Sequence, residues 1–179
     1  MIKSIRILFI FVGFLGLVSN SFAADVTMRI SIQLPMKSHL GQNLLLFKND
    51  VEKKSNGEIE VQIYDSAQLY KDKEVPAAVG SGSIESGVAS LTRYVGDIPA
   101  VDLFYQPFLL NSEEKVRKAV AKGSSIRGPI DKAIEGTGST VLWWQAYGSA
   151  IMLSKGKAIK NPSDMKGKKV RVFGKTLGA

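Results

Sequence analysis

Apolar and polar residues alternate most regularly in two stretches. Residues 26–33 alternate toward Val and Ile and predict a strand. Residues 58–64 do so more cleanly, with Ile59, Val61 and Ile63 on one face and Glu58, Glu60 and Gln62 on the other. Between them, 35–41 is a polar break. Leu44, Leu45, Phe47, Lys48, Val51 and Glu52 then follow helical spacing, and Asn56-Gly57 closes that helix. Asp72 is placed to cap a helix through Val79, with Pro76 either shortening it or sitting in its first turn. Gly80 and Gly82 end it.

The later pattern is less regular. Residues 84–91 predict a mildly apolar strand. Its small members Ser86, Gly87, Ala89 and Ser90 let another group approach the backbone. A polar loop covers 93–100, and 101–110 is apolar with Pro107 inside it. Ser112, two glutamates, and then Val116, Ala119 and Val120 predict an amphipathic helix with an acidic first turn. A further helix is expected over 128–134, with Pro129 in its first turn. Strands are expected over 140–145, 150–154 and 169–173, with a short helical turn after Asn161-Pro162. The succession of strand and helix predicts an α/β fold with a mostly parallel sheet and helices on its faces. A change from helix to new strand at Gly136 and Gly138 is a candidate crossing between lobes.

The first 23 residues change the picture of where the chain works. Lys3 and Arg6 precede an apolar run over 7–18, and Ser21 and Ala23 provide the small residues of a cleavage site. A signal peptide over 1–23 is the expectation, with an uncleaved anchor as the alternative; the run is short for a membrane span. Cleavage removes two of the eight net positive charges. The remaining basic residues alternate with acids and form no stripe interleaved with aromatics, so nucleic acid is not an expected partner. With no cysteine, thiol catalysis and cysteine-ligated metals are excluded.

Candidate chemistry is sparse. His39 is the only histidine, which excludes a histidine cluster for a metal. Its place at a helix start suits either ligand contact or capping. No Gly-x-Ser-x-Gly elbow and no phosphate-binding glycine motif is present, so neither an enzyme nor a cofactor is expected, an exported enzyme acting on an anionic small molecule being the alternative. Trp143 and Trp144 point to opposite sides of one predicted strand, so one can pack in the core while the other lines a cleft. Tyr147 follows in a turn and offers a hydroxyl. Arg171 lies between Val170 and Val172 and points opposite to them; its guanidinium suits a carboxylate. A solvated rim arginine is the plainer reading. Arg93, with Ser90, Thr92 and Tyr94, lies near a strand's carboxyl end, where open parallel sheets bind ligands.

These segments together resemble a known family. The stretch 47–63 with Lys54-Ser55-Asn56-Gly57-Glu58-Ile59-Glu60-Val61 carries the resemblance, as do Ala67-Gln68-Leu69, Lys73-Glu74-Val75 and Gly82-Ser83-Ile84. So do 101–110 with Gln106-Pro107-Phe108-Leu109, and 164–172 ending in Val170-Arg171-Val172. Over 26–179 the chain resembles the solute-binding proteins of tripartite ATP-independent periplasmic (TRAP) transporters, the DctP-like group. The resemblance implies two α/β lobes with a cleft, periplasmic location, capture of a small organic acid, and delivery to TRAP permease membrane subunits. It assigns the carboxylate clamp to Arg171 and further contacts to segments near His39, 90–94 and 145–150. Many members carry another arginine in that last segment, where this chain has Tyr147-Gly148-Ser149. The implied domains are a first lobe over 24–136 and the start of a second over 137–179. Members being about twice as long, the second lobe is expected to be incomplete and the chain to be a shortened form.

Overall fold

The computed structural model describes residues 24–172. The expected signal peptide lies outside the described residues, as does Phe173 at the end of the last expected strand.

Three parallel strands form the sheet: β1 (Val26–Ser31), β2 (Ile59–Tyr64) and β3 (Ser86–Gly87). Their order is β2-β1-β3. Helix α1 (His39–Lys54) crosses from β1 to β2, and the short α2 (Val75–Gly80) lies on the way to β3. The polar-apolar alternation of the sequence decides how these elements stack. Ile30 and Ile32 face Leu40 and Leu44 of α1 and, with Val61, form one buried cluster. Ser31 alternates to the other face. There it is fully buried, and its hydroxyl both donates to the Tyr70 carbonyl and accepts from the Tyr70 amide, each over 3.1 Å. On that face Gly87 lies so close to α2 that a Cβ would stand 2.5 Å from Val75 Cγ1. The expected close approach to the 84–91 backbone is thus made by α2 itself. Helices cover both faces, which is the doubly wound arrangement.

Beyond β3 the chain runs through 3₁₀ turns at Leu91–Arg93 and Pro99–Tyr105, then α3 (Glu113–Val120) and α4 (Arg127–Glu135). Ser112 caps α3 by accepting from the Lys115 amide, and Glu113 and Glu114 occupy its first turn. Tyr94, Ile98 and Val101 pack on Ile130 and Ile134 of α4 in a second buried cluster. After α4, Gly138 lies against Gly80 at the end of α2.

Several expectations need correction. The strand over 84–91 contracts to Ser86–Gly87, because Leu91 already enters a 3₁₀ turn. Asp72 does not cap α2. Glu74 stands at that position without a side-chain bond to the helix amides, its carboxylate accepting from the Lys71 amide instead, and Pro76 sits in the first turn. No strand forms among the described residues at 140–145, 150–154 or 169–172. Their β-type composition finds no neighbouring strand to supply ladder hydrogen bonds. Only the short 3₁₀ turn Pro162–Met165 interrupts this last segment.

Candidate functional site

The strand order places a switch point between β1 and β3. The connection after β1 runs through α1 to β2 on one side, whereas β3 lies on the other side of β1. Loops leaving the carboxyl ends of two such strands diverge and leave a crevice. The two loops here are 32–38 and 88–94. A third segment, 143–147, is laid against them.

The β1–α1 turn is tightly built. Ser38 Oγ accepts from the Gly41 amide over 3.1 Å, and Gln42 Nε2 donates to the Met36 carbonyl over 2.8 Å. Any side chain at Gly41 would meet the Met36 backbone at 2.6 Å, so only glycine permits this return of the chain. Asp65 accepts from the Met36 amide over 2.8 Å and ties the turn to the end of β2. His39 is the first residue of α1, and Asn43 lies one turn on along the same face.

Segment 143–147 has no ladder partner, so side chains hold it. Trp143 stacks on Phe47 of α1, with ring centroids 4.9 Å apart, and joins the first cluster. Trp144 turns the other way, onto Phe104 at 5.2 Å, and joins the second. Its indole N–H donates to Asp131 over 2.7 Å, and the Arg127 guanidinium lies 5.5 Å from its ring centre. Arg127 also donates to Asp131 over 2.8 Å. Both tryptophans therefore pack inward, and Trp144 makes packing contacts where a cleft contact was one of the expectations. Beyond them, Gln145 Oε1 accepts from Asn43 over 2.8 Å, the Ala146 carbonyl accepts from His39 Nε2 over 3.2 Å, and the Tyr147 hydroxyl accepts from Gln33 over 3.4 Å.

Past β3, Arg93 Nε donates to Asp72 Oδ2 over 2.5 Å, and the Ser90 amide donates to Oδ1 over 2.8 Å. The Asp72 side chain is 5% exposed and that of Arg93 33%. Asp72 thus fixes the guanidinium while leaving part of it at the surface. The Thr92 amide donates to the Tyr105 hydroxyl over 3.2 Å. Burial is the main cause that raises the Tyr105 phenol above its ordinary value, so it stays protonated and can donate in turn.

The structure therefore brings His39 and Tyr147 together, and Arg93 and Thr92 together in the neighbouring loop. Arg171 is exposed, in a stretch without regular structure. Gln33 and Asn43 were not singled out by sequence reasoning, and Asp72 only as a helix cap. For Asn43 the signal was its helical spacing from His39; for Asp72 no local pattern announces a partner so far along the chain. Among the described residues, no group of three or more His, Asp or Glu side chains is placed to hold a metal ion. No described helix is long and apolar enough to cross a membrane.

Comparison with known proteins bears on this geometry. The profile of DctP, the bacterial extracellular solute-binding proteins of family 7, matches residues 30–178. A solute-binding protein of Verminephrobacter eiseniae is 30% identical over 155 residues, covering 84% of this chain and 44% of the relative. The C4-dicarboxylate-binding periplasmic protein DctP of Rhodobacter capsulatus is 29% identical over 162 residues, covering 88% of this chain and 47% of the relative. The chain therefore spans less than half the length of these curated relatives. A solved TRAP periplasmic solute-binding protein of Chromohalobacter salexigens, with bound D-glucuronate, has a TM-score of 0.77 at 22% identity. The likeness covers 84% of this chain and 50% of that one, and it speaks for the fold alone. With the profile spanning most of the described strands and helices, the chain belongs to the DctP family of bacterial extracellular solute-binding proteins.

Proposed function

We propose that this protein captures a small organic carboxylate outside the cytoplasm and presents it to the membrane subunits of a TRAP-type permease, without chemical change to the solute. The observation that carries this reading is the convergence of three segments at the carboxyl ends of β1 and β3, where a parallel sheet with this strand order holds ligands. Family membership supports it. So does the name of one relative, a C4-dicarboxylate-binding protein.

In this reading 1–23 directs export and is removed. Residues 24–136 form one lobe, 137–179 begin a second, and 143–147 lies where the two meet. Arg171 is the clamp: its guanidinium offers two parallel N–H groups to one carboxylate. Arg93, fixed by Asp72, borders the site and adds a positive edge. Release of water from the ion pair strengthens it, because the pair then sits in a lower dielectric.

The test is calorimetric titration of the purified exported chain with a panel of small carboxylates. Arg171→Ala is expected to weaken the acid that binds best by roughly 10- to 100-fold, the range for a lost hydrogen bond to a charged group. Unchanged affinity in that variant would remove Arg171 from the site.

A further inference from the structure

Among the described residues, strand β2 is an outer strand of the sheet, with β1 on one side only. The Val26 and Ile32 amides donate to the Glu58 and Tyr64 carbonyls. Even-numbered residues of β2 therefore bond to β1, and Ile59, Val61 and Ile63 turn their backbone groups to the outer edge. Such a row of donors and acceptors is a template for another strand.

Three of these groups are taken by side chains that precede β2. Glu52 Oε1 accepts from the Val61 amide over 2.9 Å, Lys48 Nζ donates to the Val61 carbonyl over 2.6 Å, and Ser55 Oγ accepts from the Ile59 amide over 3.2 Å. Lys48 Nζ also donates to Glu52 Oε1 over 2.6 Å, so the pair closes on Val61 from both of its backbone groups. The hydrogen bond from Lys48, and then that from the Val61 amide, hold the Glu52 carboxyl below its ordinary value, which keeps it an acceptor. Lys54 and Asp50 have the same spacing on the same helix but stand in solvent, 77% and 69% exposed against 31% for each of Lys48 and Glu52. Lys48–Glu52 is thus turned onto the strand, whereas Lys54–Asp50 is an ordinary helix-surface pair.

The edge behind this pair suits a second copy. Two β2 strands set antiparallel about Val61 place Ile59 opposite Ile63 on one face and Glu60 opposite Gln62 on the other. Apolar then meets apolar and acid meets amide, and the contact is self-complementary about a two-fold axis. We propose that Lys48 and Glu52 close the outer edge of β2 against a second copy of this chain and so keep that edge from pairing. Edge closure does not depend on which solute the protein takes.

The experiment is sedimentation velocity of the exported chain over a range of concentrations, with residue-resolved amide exchange on the same samples. Lys48→Met keeps an aliphatic stem and removes the donor, and Glu52→Ala removes the acceptor. Each is expected to raise the self-association constant at least about tenfold over the wild type. Glu113→Ala breaks an exposed pair of the same spacing on α3 and is expected to leave that constant unchanged. In Glu52→Ala the Val61 amide is expected to exchange fast when dilute and slowly when concentrated, because a carbonyl of the second copy takes the place of the carboxylate. In the wild type it is expected to exchange slowly at every concentration. A folded edge variant that associates no more than the wild type would overturn the inference. Association that leaves the Val61 amide of Glu52→Ala fast at all concentrations would put the contact on another surface and overturn it too. Fast or concentration-dependent exchange at Val61 in the wild type would do the same, with no variant needed.

Discussion

Asp72 joins two parts of the chain that local sequence does not connect. Its carboxylate stands before α2, and the groups that satisfy it, the Ser90 amide and Arg93, stand after β3. With 5% of the Asp72 side chain exposed and 33% of that of Arg93, the pair is desolvated on the acid side, and removing the arginine leaves a buried carboxylate with only the Ser90 amide. Arg93→Ala is therefore expected to destabilise the fold by about 3 kcal/mol in urea denaturation. The exposed pair Arg117–Glu113 on α3 sets the contrast: Glu113→Ala is expected to cost less than about 1 kcal/mol. Glu85 gives a pH dependence. Its hydrogen bonds with Arg29, at 2.6 and 2.8 Å, hold its carboxyl down at about 2, from an ordinary value of 4.5. The folded value lies below the unfolded one, so this contribution is complete above about pH 4.5 and is lost as pH falls through about 2. Stability followed across that window in Glu85→Gln is expected to fall less steeply than in the wild type. Identical slopes would mean that the pair does not form in solution.

At the scale of elements, a strand needs a neighbour as well as a pattern. Residues 26–31 and 59–64 pair with each other in register, Met28 opposite Val61 and Ile30 opposite Ile63. Segments 140–145 and 150–154 have comparable β-type composition, but among the described residues neither joins a ladder. Ile151 and Leu153 are 74% and 84% exposed as a result. Hydrogen exchange is expected to reflect this, with slow amides in β1 and β2 and fast ones through 150–154. Slow exchange at 150–154 would mean that this segment pairs in solution. The same distinction explains what the sequence made legible. Helices α1 and α3 and strands β1 and β2 follow from local period and capping, signals held within a few residues. The shortness of β3 and the absence of strands among the described residues after Gly138 depend on contacts between distant segments. At the site, the positions of His39 and Arg93 near strand ends were readable, since the turn and loop residues around them are. The inward turn of Trp144 was not, because it depends on Asp131 and Phe104 from other elements.

At the scale of the whole molecule, two clusters are joined through adjacent tryptophans. Trp143 belongs to the cluster under α1 and Trp144 to the one beside α4, so the backbone between them is drawn across the carboxyl end of the sheet. That arrangement delivers Gln145 and Tyr147 to the β1–α1 turn without any ladder hydrogen bond. It also makes one side of the proposed site from a segment held by side-chain packing and side-chain hydrogen bonds in place of a ladder, which suits a part that has to adjust as a ligand enters. The central claim is that a small organic acid binds at this end of the sheet. The most direct measurement is the amide chemical-shift map of the isotopically labelled exported chain, titrated with the acid that calorimetry finds to bind. The account predicts that the largest shifts fall on 33–39, 88–94 and 143–148, with the amino ends of β1 and β2 unaffected. Shifts confined to another surface, or none at saturating acid, would contradict it.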